Sequence, residues 1–304
     1  MLHGRIEAFL AVARTGSVTR AAEELALTQP ALTSRIQGLE QELGERLFIR
    51  ESRGMRLTEA GRALLPYAER AVAALREGGE RVASLRGERG GQLVIGAPPG
   101  VSTYTLPEIL KRYATTYPGV TVNVRTGSSE AVLDLILRGE AQVGFGRLLR
   151  HPEIDCAPLF EEELVLVVDP EHAFVREPRV TVDDIALERV ILFDAASSYY
   201  NVTWAWFDAA RVRVRQTMEL DNIEAAKRMV EHGLGVALLP QTAVQRDVRE
   251  GRLRLIPVDG GGPPRRKIVA YLRRDHPAGR EVTGFLRIAR EMISQTTAEG
   301  GLRR

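Results

Sequence analysis

The stretch SVTRAAEELALTQPALTSRIQGLEQEL, residues 17–43, decides how the first third of the chain is read. Ser17 can cap a helix whose buried face is Val18, Ala21, Ala22 and Leu25, and small Ala21 and Ala22 permit a close, steep crossing by a second helix. Leu27 follows. Thr28 is then a good N-cap for that second helix, with Pro30 tolerated in the first turn where the missing N–H costs nothing. Leu32, Ile36, Leu39 and Leu43 recur at four, three and four, so one stripe is apolar. Gln29, Thr33, Arg35 and Gln37 fall mostly away from it.

Upstream, Ile6, Phe9, Leu10 and Ala13 predict another helix, which stops at Thr15-Gly16. Downstream, FIRESRGMRL (48–57) has two short apolar runs around Ser52-Arg53-Gly54, as a β-hairpin does. Helix, tight turn, helix with a polar leading face is the helix-turn-helix pattern, whose second helix enters the DNA major groove. Gln29, Thr33 and Ser34 are then candidate base readers. Arg35, Arg50, Arg53 and Arg56 are candidate phosphate contacts. The alternative is a plain three-helix bundle, because residues 1–62 carry nine Arg against eight Glu and are nearly neutral.

The bulk numbers agree with a multidomain globular protein. The chain has 304 residues, is 44% hydrophobic and 27% charged, and has a net charge of +2, which gives no case of its own for nucleic acid. Cys156 is the single cysteine, so an intrachain disulfide is excluded and a reduced cytoplasmic setting fits. The opening residues are broken by Arg5, Glu7 and Arg14, unlike a signal peptide. No apolar run approaches the ~20 residues that cross a bilayer, so no membrane association is expected.

The residues from about Phe9 to Leu65 resemble the DNA-binding region of LysR-type transcriptional regulators. The most specific parts are AxxLxxTQPALT at Ala22–Thr33, LExxLGxxLF at Leu39–Phe48 and RxxxLTxAG at Arg53–Gly61. The resemblance implies that Gln29, Pro30 and Thr33 lie at the DNA-facing start of the recognition helix, with Arg50 and Arg53 on a wing near the backbone. Family members often carry Arg where this chain has Ser34, with Arg35 next.

After Thr58, a good helix cap, Leu64, Ala68, Ala71, Leu75, Gly78, Val82 and Leu85 recur alternately at four and three. That is the seam of a coiled coil. Such a helix pairs with a second copy or packs on its own domain. Gly78-Gly79 weakens it by about 1 kcal/mol per Gly and is a candidate bend, and RGERGG (86–91) reads as a linker.

From Gln92 short apolar strands alternate with amphipathic helices: LVIGA (93–97), VTVNV (120–124), QVGFG (142–146), ELVLVV (163–168), RVILF (189–193), VALLP (236–240) and KIVAYL (267–272). The expected helices cover 106–116, 130–138, 202–210, 223–232, 242–250 and 279–295. This predicts an α/β fold with mainly parallel sheets. Ligands of open α/β sheets bind beyond the C-terminal strand ends, here the loops PPGVSTY (98–104), RTGSSE (125–130) and GRLLR (146–150).

There is no GxSxG elbow, no Walker A loop and no metal-ligand spacing among the five His. GLGVAL (233–238) follows a helix and precedes a strand, the wrong context for a dinucleotide loop. No enzyme activity, metal or cofactor is expected.

The resemblance extends more loosely over this half, through Leu106-Pro107, Tyr117-Pro118-Gly119-Val120, Leu137-Arg138-Gly139-Glu140 and Val230–Pro240. It implies a mixed fold class: an all-α winged helix-turn-helix and coiled-coil linker helix, then a two-lobed α/β effector domain like a periplasmic binding protein. The domains are 1–58, 59–91 and 92–295, with lobe I at 92–162 and 267–295, lobe II at 163–266, and a flexible tail at 296–304. The family's cleft-lining places map onto Ser102, Thr103, Thr126, Ser128, Phe145, Arg147, Phe193 and Asn222. Ser102, Thr103 and Ser128 can instead be helix caps, and Arg147 a surface charge. Gln142 stands where the family frequently has Asp. The implied partners are double-stranded DNA, a small-molecule effector such as a carboxylate, and further copies of the chain as dimer or tetramer.

Overall fold

The computed structural model describes residues 2–51, 54–85, 91–193, 195, 197–260, 262–276 and 278–300. The chain forms two compact units, Met1–Gly91 with Leu137–Glu140, and Gln92–Ile136 with Ala141–Arg304.

The first unit runs α1 (Leu2–Thr15), α2 (Val18–Glu24), α3 (Gln29–Leu43), β1 (Phe48–Glu51), β2 (Gly54–Leu57) and α4 (Glu59–Leu85). Ser17 caps α2 by accepting from the Arg20 N–H, and Thr28 caps α3 by accepting from the Ala31 N–H. Phe9, Val12, Ala21, Ala22, Leu32, Ile36, Leu39, Leu47, Phe48 and Ala68 form one core. The Phe9 and Phe48 rings lie 5.4 Å apart.

The LExxLGxxLF segment has a direct physical reading here. Leu39, Leu47 and Phe48 are core residues, and Gly44 ends α3 in the left-handed conformation at φ 71°. The Glu40 carboxylate accepts the Leu47 and Phe48 N–H groups at 2.8 and 3.3 Å. β1 and β2 pair antiparallel with Phe48 opposite Leu57. The hairpin docks on the end of α1, where the Met55 N–H donates to the Gly16 carbonyl at 2.9 Å. Gly54 makes that possible: its φ is +126°, and a Cβ there would lie 2.4 Å from the Gly16 carbonyl oxygen.

α4 continues as helix through Gly78-Gly79. Pro66 lies inside it, which removes the N–H that would reach the Arg62 carbonyl. The expected seam divides in two. Leu64 and Ala68 pack into the core of this unit, while Leu75 and Val82 are 59% and 52% exposed.

The second unit contains β3 (Gln92–Ala97), a π-helical turn (Val101–Thr105), α5 (Leu106–Thr116), β4 (Thr121–Thr126), α6 (Ser129–Leu137), β5 (Val143–Gly146) and β6 (Ile154–Val168). It goes on through α7 (Val182–Leu187), β7 (Arg189–Phe193), α8 (Ser198–Ala209), β8 (Gln216–Leu220) and α9 (Ile223–Glu231). It ends with β9 (Val236–Pro240), α10 (Gln241–Arg249), β10 (Arg254–Ile256), β11 (Arg265–Arg273) and α11 (Arg280–Gly300). α11 thus reaches Gly300, beyond residue 296 where the sequence reading begins a flexible tail, and residues 301–304 lie outside those described.

The strand order is β4-β3-β5-β11-β6-β9-β7-β8, with β10 also on β6. β3 pairs parallel with β4 and β5, and β7 parallel with β8 and β9. β6 and β11 are antiparallel to their neighbours, so the sheet is mixed rather than mainly parallel. β6 carries the chain from one lobe to the other within a single strand: Ile154–Glu163 pair with β11, and Leu164–Val167 pair with β9. The chain returns at the start of β11. Each lobe has its own apolar core, one around Leu93, Ile95, Tyr113, Phe145 and Phe285, the other around Leu166, Ile191, Phe207, Val230 and Leu239. Gln142 extends the β3–β5 pairing, since its Oε1 accepts the Val94 N–H at 2.6 Å and its N–H donates to the Val94 carbonyl at 3.0 Å.

Candidate nucleic-acid interface and interlobe cavity

At about 100° per residue, Pro30, Thr33, Ser34 and Gln37 share one flank of α3, and all four are exposed. Gln37 belongs to this face, although the sequence reading did not name it as a site residue. Gln29 is exposed at the first turn, and its Nε2 donates to Thr19 Oγ1 on α2 at 2.7 Å, which ties the two helices where a groove would meet them. Arg35 departs from the expectation. It lies on the opposite flank, half-buried, and Nη1 donates to the Gly4 carbonyl at 3.5 Å. Its position, two residues beyond Thr33, turns it towards α1 rather than along the exposed face. On the hairpin, Arg50 is exposed, while Arg56 is paired with Glu51 at 2.5 Å. Arg53 lies outside the described residues.

In the second unit a cavity of about 320 Å3 opens between the two lobes. Five of the eight expected residues line it: Thr103, Ser128, Arg147, Phe193 and Asn222. The other three do not, for separate reasons. Ser102 donates to the Pro99 carbonyl at 3.0 Å and is spent on its own turn. Thr126 is exposed at the end of the edge strand β4. Phe145 points the other way along its strand, into the lobe I core 5.9 Å from Phe285.

Several groups on the wall stand at helix starts. Ser128 accepts the Ala131 N–H at α6, Ser197 accepts the Tyr199 N–H at α8, and Asn222 caps α9 through the Ala225 N–H. Ser129 Oγ accepts the Arg147 N–H at 3.1 Å, fixing the loop after β5. Three helix N-termini thus converge on the cavity, each with partial positive charge.

Two polar clusters link the lobes. In one, Glu162 of β6 and Arg266 of β11 are register partners, 4% and 3% exposed. Arg266 Nη2 donates to Glu162 Oε2 at 2.7 Å and to the Tyr199 hydroxyl at 2.9 Å, and Nη1 donates to Ser198 Oγ at 2.6 Å. The guanidinium lies 3.9 Å from the centre of the Tyr199 ring. Burial pushes the Tyr199 phenol far above its ordinary pKa, with Arg266 opposing, so it remains a neutral hydroxyl that donates to Glu162.

In the other cluster the Tyr104 hydroxyl of lobe I donates to Glu224 of lobe II. Lys227 Nζ bridges Glu224 and the buried Asp247 at 3.0 and 2.7 Å. Burial would raise the Glu224 carboxyl, but the hydrogen bonds from Tyr104 and Lys227 hold it below its usual range. Likewise burial opposes, and the Arg147 guanidinium and the residue's own N–H help produce, a lowered Glu130 carboxyl.

The sequence reading missed Tyr104, Ser197, Ser198, Tyr199, Asp221, Glu224 and Arg266. Ser197-Ser198 were accessible by the rule that pointed to Phe193, since they follow the C-terminal end of the same strand. Arg266 carried no signal because the strand was read from Lys267. Cys156 is half-buried, donates to the Leu149 carbonyl at 3.2 Å, and has a thiol pKa raised by burial, which disfavours a reactive thiolate.

These two arrangements define a DNA-binding regulator with a separate ligand-binding domain, and comparison with known proteins gives the family. Residues 3–62 match the bacterial regulatory helix-turn-helix protein, lysR family, and residues 86–294 match the LysR substrate binding domain. The chain belongs to the LysR family of transcription regulators. The HTH-type transcriptional regulator YusT of Bacillus subtilis is 36% identical over 259 residues, covering 85% of each protein. Among solved structures, full-length OxyR of Pseudomonas aeruginosa is similar at TM-score 0.75 and 20% identity, covering 95% of this chain and 94% of that one. CbnR in complex with its target DNA is similar at TM-score 0.71 and 24% identity, covering 96% and 99%. No described helix is long and apolar enough to cross a membrane.

Proposed function

We propose that the protein is a cytoplasmic, ligand-responsive transcription regulator. It binds its operator as a dimer or tetramer paired through the exposed half of α4. Pro30, Thr33, Ser34 and Gln37 read base edges, Gln29 sets the entry of α3, and Arg50 with Arg53 holds the backbone. A small carboxylate-bearing molecule binds between the lobes and shifts the population of interlobe arrangements, which requires different affinities for the two states.

The observation that carries this reading is the cavity. It is walled by hydroxyls, three helix N-termini and two arginines, and the chain passes between the lobes around it within β6 and at the start of β11. Leu75 and Val82 support the pairing, since a stripe at heptad spacing left in water is stabilised by a partner helix.

The test compares binding to the duplex upstream of the protein's own gene with binding to an unrelated duplex of equal length, across a salt series. A preference on the order of 10³ or more with a steep salt slope is expected. Equal, weak binding to both, with and without added metabolites, would contradict the reading.

A further inference from the structure

The charges on the cavity wall do not balance in the way a simple carboxylate ligand needs. Two arginines and three carboxylates line it: Arg147, Arg266, Glu130, Asp221 and Glu224. Arg147 is paired with Glu130, Glu224 is held by Tyr104 and Lys227, and Arg266 is paired with Glu162. Asp221 is exposed and has no ion pair or hydrogen bond among the described residues. A ligand that brought only a negative charge would leave this carboxylate without a counter-charge.

At α8 the wall has the opposite character. Arg266 borders the cavity while 97% buried. It is joined there by Ser198 and the first turn of α8, a combination that favours a carboxylate. Phe193 and Ile223 supply apolar surface along the same cavity.

We propose that the ligand is a zwitterion of the α-amino-acid type, its carboxylate held at Arg266, Ser198 and the start of α8, and its ammonium held at Asp221. This rests on the reading of the cavity as the effector site and names the class of molecule it takes. The ammonium supplies the counter-charge that Asp221 lacks, and the carboxylate meets the Arg266 and Ser198 groups that border the cavity. A plain carboxylate satisfies one end only, and a plain amine the other.

The test uses the full chain and thermal melts followed by tryptophan fluorescence, since both tryptophans, Trp204 and Trp206, lie on α8. The probes are the standard L-amino acids, each beside its des-amino carboxylate and its decarboxylated amine at equal concentration. One or a few amino acids should raise the melting temperature where neither counterpart does. Asp221→Asn should weaken that amino acid at least about tenfold without weakening the des-amino carboxylate. Asp221 is exposed, so the variant folds as the parent does. A carboxylate that stabilises as well as its amino acid, or a retained preference in Asp221→Asn, would overturn the zwitterion and leave the effector cleft standing. No shift from any of the three sets would also overturn it. The cleft reading itself would then fail only if a wider metabolite library gave no shift.

Discussion

Every buried core side chain described in the DNA-binding unit is apolar, from Ala8 to Ala68, whereas the other unit buries Ser129, Glu162, Thr203, Lys227, Asp247 and Arg266. Four of those six are charged, and all four belong to the two clusters that join or flank the lobes. The first unit is therefore held by packing and caps, which serve one fixed shape. The second stores charge where its two lobes meet, and buried charge is sensitive to small changes in geometry. That difference suits a unit that presents a face and a unit that responds.

The sharpest break in the comparison comes from Arg266. Arg266→Ala leaves Glu162 buried without its partner and should cost about 3–5 kcal/mol. Tryptophan fluorescence, which reports only on the second unit, should show the loss. Replacing both members by apolar residues, Glu162→Leu with Arg266→Met, should recover much of it. An equal effect in single and double variants would mean the pair is not the source.

The matching change in the first unit is Glu40→Ala, which frees the Leu47 and Phe48 N–H groups and should cost about 1–3 kcal/mol. Far-UV circular dichroism should record it with tryptophan fluorescence unmoved.

Acid should separate the units as well. Burial acts to raise the Asp247 carboxyl, but hydrogen bonds from Arg252 and Lys227 outweigh it and hold the group below its ordinary value. A depressed carboxylate contributes stability that is present above its unfolded-state pKa of about 3.9 and is lost as pH falls through the lower folded value. The tryptophan-reported melt should therefore drop in that acid window, and the drop should be smaller in Asp247→Asn, which is destabilised at neutral pH.

The smallest effect is expected at Ala26, which holds φ 50° in the turn between α2 and α3. Ala26→Gly relieves that conformation and should stabilise the first unit by less than about 1 kcal/mol. A fall in stability would show that the Ala26 methyl contributes packing that outweighs the strain.

The same contrast explains what was legible from sequence. The caps Ser17 and Thr28, the apolar stripe of α3 and the hairpin are local features, and local spacing reveals them. The strands RVILF and VALLP were readable for the same reason. The start of β6 was not, because Pro158 interrupts the apolar run of IDCAPLFEE, and the segment becomes a strand through its pairing with β11. Arg266, Glu162 and Tyr199 come from three distant segments, and no spacing in the chain announces that they meet. Phe145 was assigned to the cavity although strand alternation sends it to the opposite face. Ser102 lay one residue from a true cavity residue, Thr103, and a turn of the backbone decided between them.

The claim on which the rest depends is that the exposed flank of α3 reads DNA sequence. The direct test is a variant carrying Pro30→Ala, Thr33→Ala and Ser34→Ala, measured on the upstream duplex and the unrelated duplex across salt. These residues are exposed, so the fold should persist. The account expects affinity for the upstream duplex to fall to the level of the unrelated one, with the salt slope kept by the wing arginines. A variant that retained the full preference for its own upstream sequence would contradict it.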